Sequence, residues 1–236
     1  MDTDNETVQD SASSATGLAS TAIVVLGMHR SGTSLIASLL HNALGVKMGE
    51  RFWGNDPYHK HPNLEDLDFV QLNAQLLRSA GGQGNIAWRE PPTRAAILAL
   101  GESVVIQERI RSLVERKQHG LWGFKDPRSC LTAPLYHEHL VSPHYIVVVR
   151  RHEDIIKSLK KRDPVRQGDK YWLQLIRRYE VDRKLFLKGT KASFCVVQYE
   201  ALVNRDKWQG AVRKMAQFIG TTPDMWRAKR IIAFRR

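Results

Sequence analysis

Residues 27–34, with the sequence Gly-Met-His-Arg-Ser-Gly-Thr-Ser, limit most strongly what this chain can fold into. The apolar run 21–26 before them predicts a buried strand, and residues 35–40 after them have helical spacing. A glycine-containing loop between a strand and a helix start is a setting in which backbone N–H groups bind phosphate. The segment therefore predicts an α/β protein with a phosphate-binding loop.

The glycine spacing of this loop matches that of nucleoside-triphosphate P-loops, but the next residue does not. Gly27 and Gly32 are separated by four residues, and Thr33 stands where a P-loop has the lysine that reaches the β- and γ-phosphates. The cation of the loop is Arg30, two residues before the second glycine. This displacement favours a phosphorylated donor other than ATP.

The charge balance of the chain predicts an anionic partner. Its 236 residues include 36 basic and 24 acidic side chains, which give a formal net charge of +12. A nucleotide, a nucleic acid, an acidic glycan and a membrane surface are all compatible with this charge. No apolar run reaches the roughly 18 residues of a membrane span, so no transmembrane segment is expected.

The length predicts one domain, residues 21–236, after a disordered tail of residues 1–20. The tail lacks the basic and apolar regions of a secretory signal, so we expect a cytoplasmic protein. Cys130 and Cys195 stand in apolar surroundings without metal-ligand spacing. This pattern predicts buried free thiols rather than a disulfide or a zinc site.

Strand and helix patterns alternate along the chain, which predicts a three-layer α/β sandwich with a central parallel sheet. The run 145–149 is continuous and β-branched, as in a buried central strand. Further strands are expected at 46–48, 121–125 and 194–198. Helices are expected at about 33–44, 64–78, 91–120 with a break at Gly101, 152–162, 168–188, 206–219 and after Pro223.

Four segments within residues 22–220 resemble those of sulfotransferases that use 3′-phosphoadenosine 5′-phosphosulfate (PAPS). The first is Arg30-Ser31-Gly32-Thr33-Ser34, which matches the 5′-phosphosulfate loop of that family residue by residue. The resemblance implies that Arg30 stabilises the bridging oxygen of the donor, where leaving-group charge develops. It also implies that the donor phosphate is bound, without a metal, by the loop residues His29, Ser31, Gly32, Thr33 and Ser34.

A second resemblance begins at the end of the run 145–149. Arg150 follows that run, and Ser158 comes eight positions later. In the family, an Arg and a Ser at this spacing bind the 3′-phosphate of PAPS. An Arg at the carboxyl end of a parallel strand also lies where ligands bind in open α/β sheets. The alternative is an Arg paired with a carboxylate and a solvated Ser.

Two further segments are looser matches. Lys125 closes the strand at 121–125 and resembles the family lysine that contacts the transferring sulfonate, although Pro127 replaces the catalytic His of the cytosolic enzymes. Arg128 is a further candidate contact to donor or acceptor. Tyr199 resembles a family tyrosine near the adenine, and a packing role is its alternative.

The catalytic base is expected to be a glutamate, as in carbohydrate and protein-tyrosine sulfotransferases. Glu50 has nearly the family offset from the loop. Glu65 resembles the acidic pair of bacterial sulfotransferases whose loop has the same sequence, and we favour it over Glu50. Either carboxylate could instead stabilise a helix start. Weaker candidates for the base are His59, His61 and Asp66.

Two departures place the chain nearer the carbohydrate-type or bacterial branch of the family. Leu35 stands where cytosolic enzymes carry a Trp that stacks on adenine, and their late Arg-Lys-Gly and Gly-x-x-Gly segments are absent. The acceptor is expected to be a carbohydrate, lipid-linked or other hydroxyl compound that enters over residues 50–63 and 81–90. Residues that could stack on it, or belong to the core, are Phe52, Trp53, Tyr58 and Trp88.

These observations together predict a PAPS-dependent sulfotransferase that transfers a sulfuryl group in line to a hydroxyl or amine. A small-molecule P-loop kinase is one alternative, which Thr33 disfavours. A basic anion-binding protein without catalysis is another, although the basic residues of 150–191 form no aromatic-interleaved stripe, so no nucleic acid partner is expected. A sulfotransferase-like protein that has lost its activity is a third.

Overall fold

Four parallel strands form the sheet in the part of the chain that the structure describes. The structure is a computed structural model and describes residues 20–52, 63–84, 88–162 and 167–233. The sheet order is β2-β1-β3-β4, so all strand carboxyl ends lie along one edge. The strands are β1 (Thr21–Leu26), β2 (Leu121–Lys125), β3 (His144–Val149) and β4 (Phe194–Gln198).

The predicted bounds of β1, β2 and β4 are confirmed, and β3 begins one residue earlier than expected. The helices of the described ranges are α1 (Thr33–Ala43), α2 (Leu67–Ser79), α3 (Arg94–Ala99), α4 (Val104–Lys117), α5 (Ser129–Tyr136), α6 (His152–Arg162), α7 (Asp169–Thr190), α8 (Tyr199–Val203), α9 (Trp208–Ile219) and α10 (Met225–Ala233).

Two apolar clusters cover the two faces of the sheet. Side chains of a strand alternate between faces, so Val24 and Leu26 of β1 join one cluster, while Ile23 and Val25 join the other. The first cluster includes buried residues of α2, α4, α5 and α7, and the second includes those of α1, α9 and α10. The predicted three-layer sandwich with a central parallel sheet is therefore confirmed.

Residues 46–48 do not form the expected strand. Lys47 makes a single parallel bridge with Trp122, and the run ends there. Gly45 and Gly49, on either side of this run, have φ values of +73° and +120°. Because these left-handed conformations turn the chain away from the sheet edge, the extended run cannot continue.

Helix boundaries also differ from the sequence prediction. α2 begins at Leu67, because the Asp66 side chain accepts a hydrogen bond from the Asp68 N–H at 2.9 Å and caps the helix there. The expected helix 91–120 begins only at Arg94 and is divided, at the predicted break, by a 3₁₀ turn over Leu100–Glu102. α5 and α8 were not expected, and α5 contains Pro134, which argues against a helix in sequence.

The structure confirms the prediction that Cys130 and Cys195 are buried free thiols. Burial raises the pKa of the Cys130 thiol to about 11. No helix within the described ranges is long and apolar enough to cross a membrane. Residues 1–19 of the expected tail lie outside the described residues, as does the segment with Trp53, Tyr58, His59 and His61.

Candidate active site

Each of the four strands leads directly into a predicted site residue. β1 runs into the loop of residues 27–34, which we call the phosphate loop, and β2 ends at Lys125. Arg150 follows β3, and Tyr199 follows β4. Parallel pairing aligns these ends, as when Val25 of β1 lies opposite Lys125. The sheet therefore gathers residues from distant parts of the sequence at its carboxyl edge, where ligands bind in open α/β sheets.

The phosphate loop has the backbone of an anion-binding turn. Arg30 and Gly32 have φ values of +68° and +103°, which are left-handed conformations. Gly32 directly precedes α1, and no side chain caps that helix. The Leu35 N–H donates to the Gly32 carbonyl, which leaves the N–H groups of Thr33 and Ser34 as the first-turn donors for an anion. The Ser31 hydroxyl is buried and has no hydrogen-bond partner among the described residues. A phosphate oxygen would satisfy such a donor.

Hydrogen bonds connect Arg30 to both Ser158 and Arg150, although 128 positions separate Arg30 from Ser158. Arg30 Nε donates a hydrogen bond to Ser158 Oγ at 2.8 Å. Arg150 Nη1 donates to the backbone carbonyl of Arg30 at 2.9 Å, which holds this residue in its left-handed conformation. The Nε atom of Arg150 is buried without a hydrogen-bond partner in the described residues. At this junction the guanidinium group of Arg30 contacts α6, and that of Arg150 contacts the backbone of the phosphate loop.

Tyr199 packs against both of these elements. Its ring lies so close to Gly32 that a Cβ atom built on the glycine would overlap Cδ2 and lie 2.9 Å from Cε2. The guanidinium carbon of Arg150 is 4.3 Å from the centroid of the same ring. Glycine at position 32 therefore allows both the left-handed backbone conformation and the close approach of the Tyr199 ring.

Lys125 and Glu65 form an ion pair beside the phosphate loop. Lys125 Nζ donates to Glu65 Oε1 at 2.6 Å and to Ser34 Oγ at 3.3 Å. The Lys125 side chain is fully buried, whereas that of Glu65 is 18% exposed. The glutamate side chain is therefore partly open to solvent, while the ammonium group of Lys125 is held inside.

Glu50 does not join this group. Its carboxylate pairs with Lys47 at 2.6 Å and is 58% exposed. Its backbone N–H donates to Asp66 Oδ2 at 3.2 Å. The two candidate bases thus have different surroundings, because only Glu65 contacts a cation at a strand end.

Asp66 anchors the segment that carries Glu65. Besides capping α2, its buried carboxylate accepts a hydrogen bond from Lys117 Nζ at 2.9 Å. Lys117 also pairs with Asp68 at 2.8 Å. Burial lowers the pKa of Lys117, but the two aspartates outweigh this effect and the pKa is raised. The network joins α4 to the start of α2, next to Glu65.

A buried polar cluster lies behind Lys125, and sequence reasoning named only one of its members, Arg128. Arg128 donates from Nε and Nη2 to the carboxylate of Asp126, with the Nη2 contact at 2.7 Å. Asn73 Nδ2 donates to Asp126 Oδ2 at 3.0 Å. Burial alone would raise the pKa of Asp126, but the charge of Arg128 together with the hydrogen bonds from Arg128 and Asn73 outweighs burial, and the pKa is lowered. The alternation of acid and base directly after a strand end was the available sequence signal.

His29 is held in the phosphate loop by aromatic rings. Its ring centroid is 4.3 Å from that of Trp88 and 6.1 Å from that of Tyr179. The hydroxyl of Tyr179 donates to the Trp88 carbonyl at 2.9 Å, which ties the segment before α3 to α7. Burial of the ring holds the pKa of His29 well below its usual value, so the imidazole is neutral at pH 7. Its Nε2 atom has no hydrogen-bond partner in the described residues.

The two described aromatic residues proposed for the acceptor differ in position. Trp88 lies beside the phosphate loop through its contact with His29. Phe52 packs against the second apolar cluster, and its ring lies 6.1 Å from that of His41. Of the pair, Trp88 is therefore the one next to the predicted donor site.

The parallel sheet flanked by helices defines an α/β protein with a glycine-containing loop at the carboxyl edge of the sheet. The chain belongs to the sulfotransferase family, whose model, described as "Sulfotransferase family", matches residues 22–225. This membership favours sulfuryl transfer over the small-molecule kinase that the glycine spacing had left as an alternative. No curated protein matches the chain significantly.

Two solved structures match the chain in the structural comparison. The sulfotransferase domain of the olefin synthase from Synechococcus PCC 7002 is 16% identical, with a TM-score of 0.51 over 88% of this chain and 75% of that one. A shikimate kinase from Bacteroides thetaiotaomicron is 12% identical, with a TM-score of 0.41 over 85% of this chain and 98% of that one. The first of these supports the fold assignment.

Proposed function

We propose that the protein transfers a sulfuryl group from PAPS to a hydroxyl or amine of an acceptor. The observation that carries this proposal is the junction of Arg30, Ser158 in α6 and Arg150 before α6. A donor with a 3′-phosphate and a 5′-phosphosulfate has two separate anionic groups. The junction offers cations from two separate elements, whereas binding of ATP would leave the 3′-phosphate contacts unused.

The polar atoms around the loop suit such a donor. Buried hydrogen-bonding groups without partners are costly, and Ser31 Oγ and Arg150 Nε are of this kind in the described structure. In our proposal the amides and hydroxyls of residues 31–34 hold the 5′-phosphate, while Arg150 and Ser158 hold the 3′-phosphate. Bound PAPS would supply the sulfuryl group as a mixed anhydride with its 5′-phosphate.

Lys125 and Glu65 are assigned to the transfer itself. Glu65 accepts the proton of the attacking hydroxyl or amine, because its side chain is partly open to solvent. Lys125 orients that carboxylate and stabilises negative charge on the sulfonate oxygens. Arg30 stabilises the charge that develops on the leaving phosphate. In this proposal Glu65 is the base, Lys125 stabilises the sulfonate, and Arg30 stabilises the leaving group, and the mechanism uses no metal.

The acceptor is proposed to be a carbohydrate, a lipid-linked compound or another molecule with a free hydroxyl. It would approach past Trp88, beside the phosphate loop, and past the segment before Glu65. Amphipathic rings such as sugars stack well on tryptophan.

Titration calorimetry with the reaction product 3′-phosphoadenosine 5′-phosphate (PAP) tests the donor assignment. We expect PAP to bind more tightly than 5′-AMP or ATP. Arg150→Ala should remove a charge-assisted contact of about 1.5–3 kcal/mol, a loss of about 10- to 150-fold in affinity for PAP. The affinity for 5′-AMP should fall by a smaller factor, because that ligand lacks the 3′-phosphate and is affected only through the lost hydrogen bond from Arg150 to the Arg30 carbonyl.

Arg151→Ala is the matched control for this experiment. Arg151 is the next residue in the chain, is 70% exposed, and pairs with Asp154 on the surface. Surface pairs of this kind contribute little, so PAP affinity should be unchanged. Equal affinity of the unmodified protein for PAP, 5′-AMP and ATP would refute the assignment of PAPS as the donor.

A further inference from the structure

The ring of Tyr199 contacts two groups that are proposed to bind the donor phosphates. A Cβ atom on Gly32 would lie 2.9 Å from Cε2 of the ring, so the ring fills the space that the glycine leaves. The guanidinium of Arg150 lies over the same ring, 4.3 Å from its centroid. One contact is with the phosphate loop after β1, and the other is with the residue after β3.

The position of Tyr199 is itself fixed with respect to Arg150. Tyr199 begins α8, directly after β4, which pairs with β3 along its whole length. The next residue, Glu200, accepts a hydrogen bond at Oε1 from the backbone N–H of Arg151 at 2.9 Å. Because the chain is tied on both sides of the ring, Tyr199 cannot leave its place without loosening the end of β3.

We infer that Tyr199 is a positioning residue that holds Gly32 and Arg150 in place for the donor phosphates. The inference rests on the proposed function. The guanidinium of Arg150 lies over the ring and the Gly32 backbone lies against Cδ2 and Cε2, so removal of the ring would free both groups. Its contribution to binding is therefore indirect and independent of the base of the nucleotide.

This independence gives a test that separates the two roles. Affinities of the unmodified protein, Tyr199→Phe and Tyr199→Ala are measured for PAP and for 3′-phosphouridine 5′-phosphate, which has the same phosphates on a different base. Tyr199→Ala should weaken both ligands by the same factor, about tenfold, because it removes the support of Arg150 and Gly32. Tyr199→Phe keeps the ring and should stay within about twofold for both.

Trp226→Ala is the matched control. Trp226 on α10 carries Arg230 over its ring at 4.6 Å, the same kind of contact at an exposed position away from the four strand ends. It should change neither affinity. Tyr199→Leu, which keeps apolar bulk, replaces the alanine variant if the latter does not fold, and it should also weaken both ligands equally.

A loss of affinity for PAP that is absent for the uridine ligand would overturn the inference, because it would mean that Tyr199 contacts adenine. If the unmodified protein binds neither ligand, the proposed function fails separately, and amide hydrogen exchange of residues 27–34 decides the positioning role. Exchange should be faster in Tyr199→Ala and unchanged in Tyr199→Phe. Equal exchange in the alanine variant and the unmodified protein would overturn the inference.

Discussion

The ammonium group of Lys125 lies 2.6 Å from the carboxylate of Glu65, and the lysine side chain is fully buried while the glutamate reaches solvent. If Glu65 is the base, Glu65→Gln keeps the shape of the site but removes the proton acceptor. We expect the turnover number to fall by about 10²–10⁴, while the affinity for PAP stays the same. Steady-state kinetics with an active acceptor and calorimetry with PAP measure the two quantities.

Glu50→Gln is the control for that prediction. Its carboxylate pairs only with the exposed Lys47 in the described structure, so turnover should stay within about twofold. A larger loss of turnover for Glu50→Gln than for Glu65→Gln would transfer the role of base to Glu50.

Asp66 is expected to act on catalysis through the position of Glu65. Asp66→Ala removes the cap of α2 and a buried partner of Lys117, and should lower the free energy of unfolding by about 1–3 kcal/mol. Turnover should fall while the affinity for PAP is kept. Asp66→Asn preserves the capping oxygen and should recover most of the turnover. Denaturant unfolding and kinetics test this, and equal turnover of both variants would argue against a positioning role.

Gly32→Ala is expected to damage the phosphate loop for two reasons. A Cβ atom at this position meets the ring of Tyr199, and the backbone has a φ of +103°. Gly45→Ala is the matched control, because Gly45 has a φ of +73° but no atom within 4 Å of its Cβ position. Both variants should lose roughly 1–2 kcal/mol of stability, because alanine is strained in the left-handed conformation. Only Gly32→Ala should also lose affinity for PAP, by about tenfold or more.

His29 should make the stability of the protein depend on pH. Burial lowers the pKa of His29 in the folded state below its usual value near 6.5. As the pH falls below that value, the unfolded chain binds a proton that the folded protein does not, so stability decreases, by at most about 1.4 kcal/mol per pH unit. Between pH 7.5 and 5.5, His29→Gln should lose less stability than the unmodified protein. Parallel losses in urea unfolding would contradict this.

The parts of the site that could be predicted are those encoded by neighbouring residues. The turn from β1 through the phosphate loop to α1 follows from one apolar run, two glycines and helical spacing. The eight-residue spacing from Arg150 to Ser158 predicted that both side chains would face one crevice. Both of them form a hydrogen bond with Arg30, which agrees with that prediction. In both cases the predictive signal is a spacing between residues that are close in sequence.

The parts of the site that could not be predicted depend on contacts between residues that are far apart in sequence. Asn73 and Asp126 are 53 positions apart, and nothing in either segment signals their hydrogen bond. The choice between Glu50 and Glu65 depended on which of them reaches the end of β2, which is set by Gly49 and Asp66 and not by an offset from the loop. α5 was not expected; it contains Pro134, a helix-disfavouring residue, and is supported by packing against α7 and neighbouring helices that are distant in sequence.

The strand order has a consequence for how the protein would acquire its ligand during synthesis. The loop after β1 is made early, but its supports come from the ends of β2, β3 and β4, the last of them at residue 199. A nascent chain would therefore have no competent donor site until β4 had joined the sheet. After the site has formed, nucleotide binding would stabilise the completed sheet by mass action. Incompletely folded chains would gain no such stabilisation, because they lack the site.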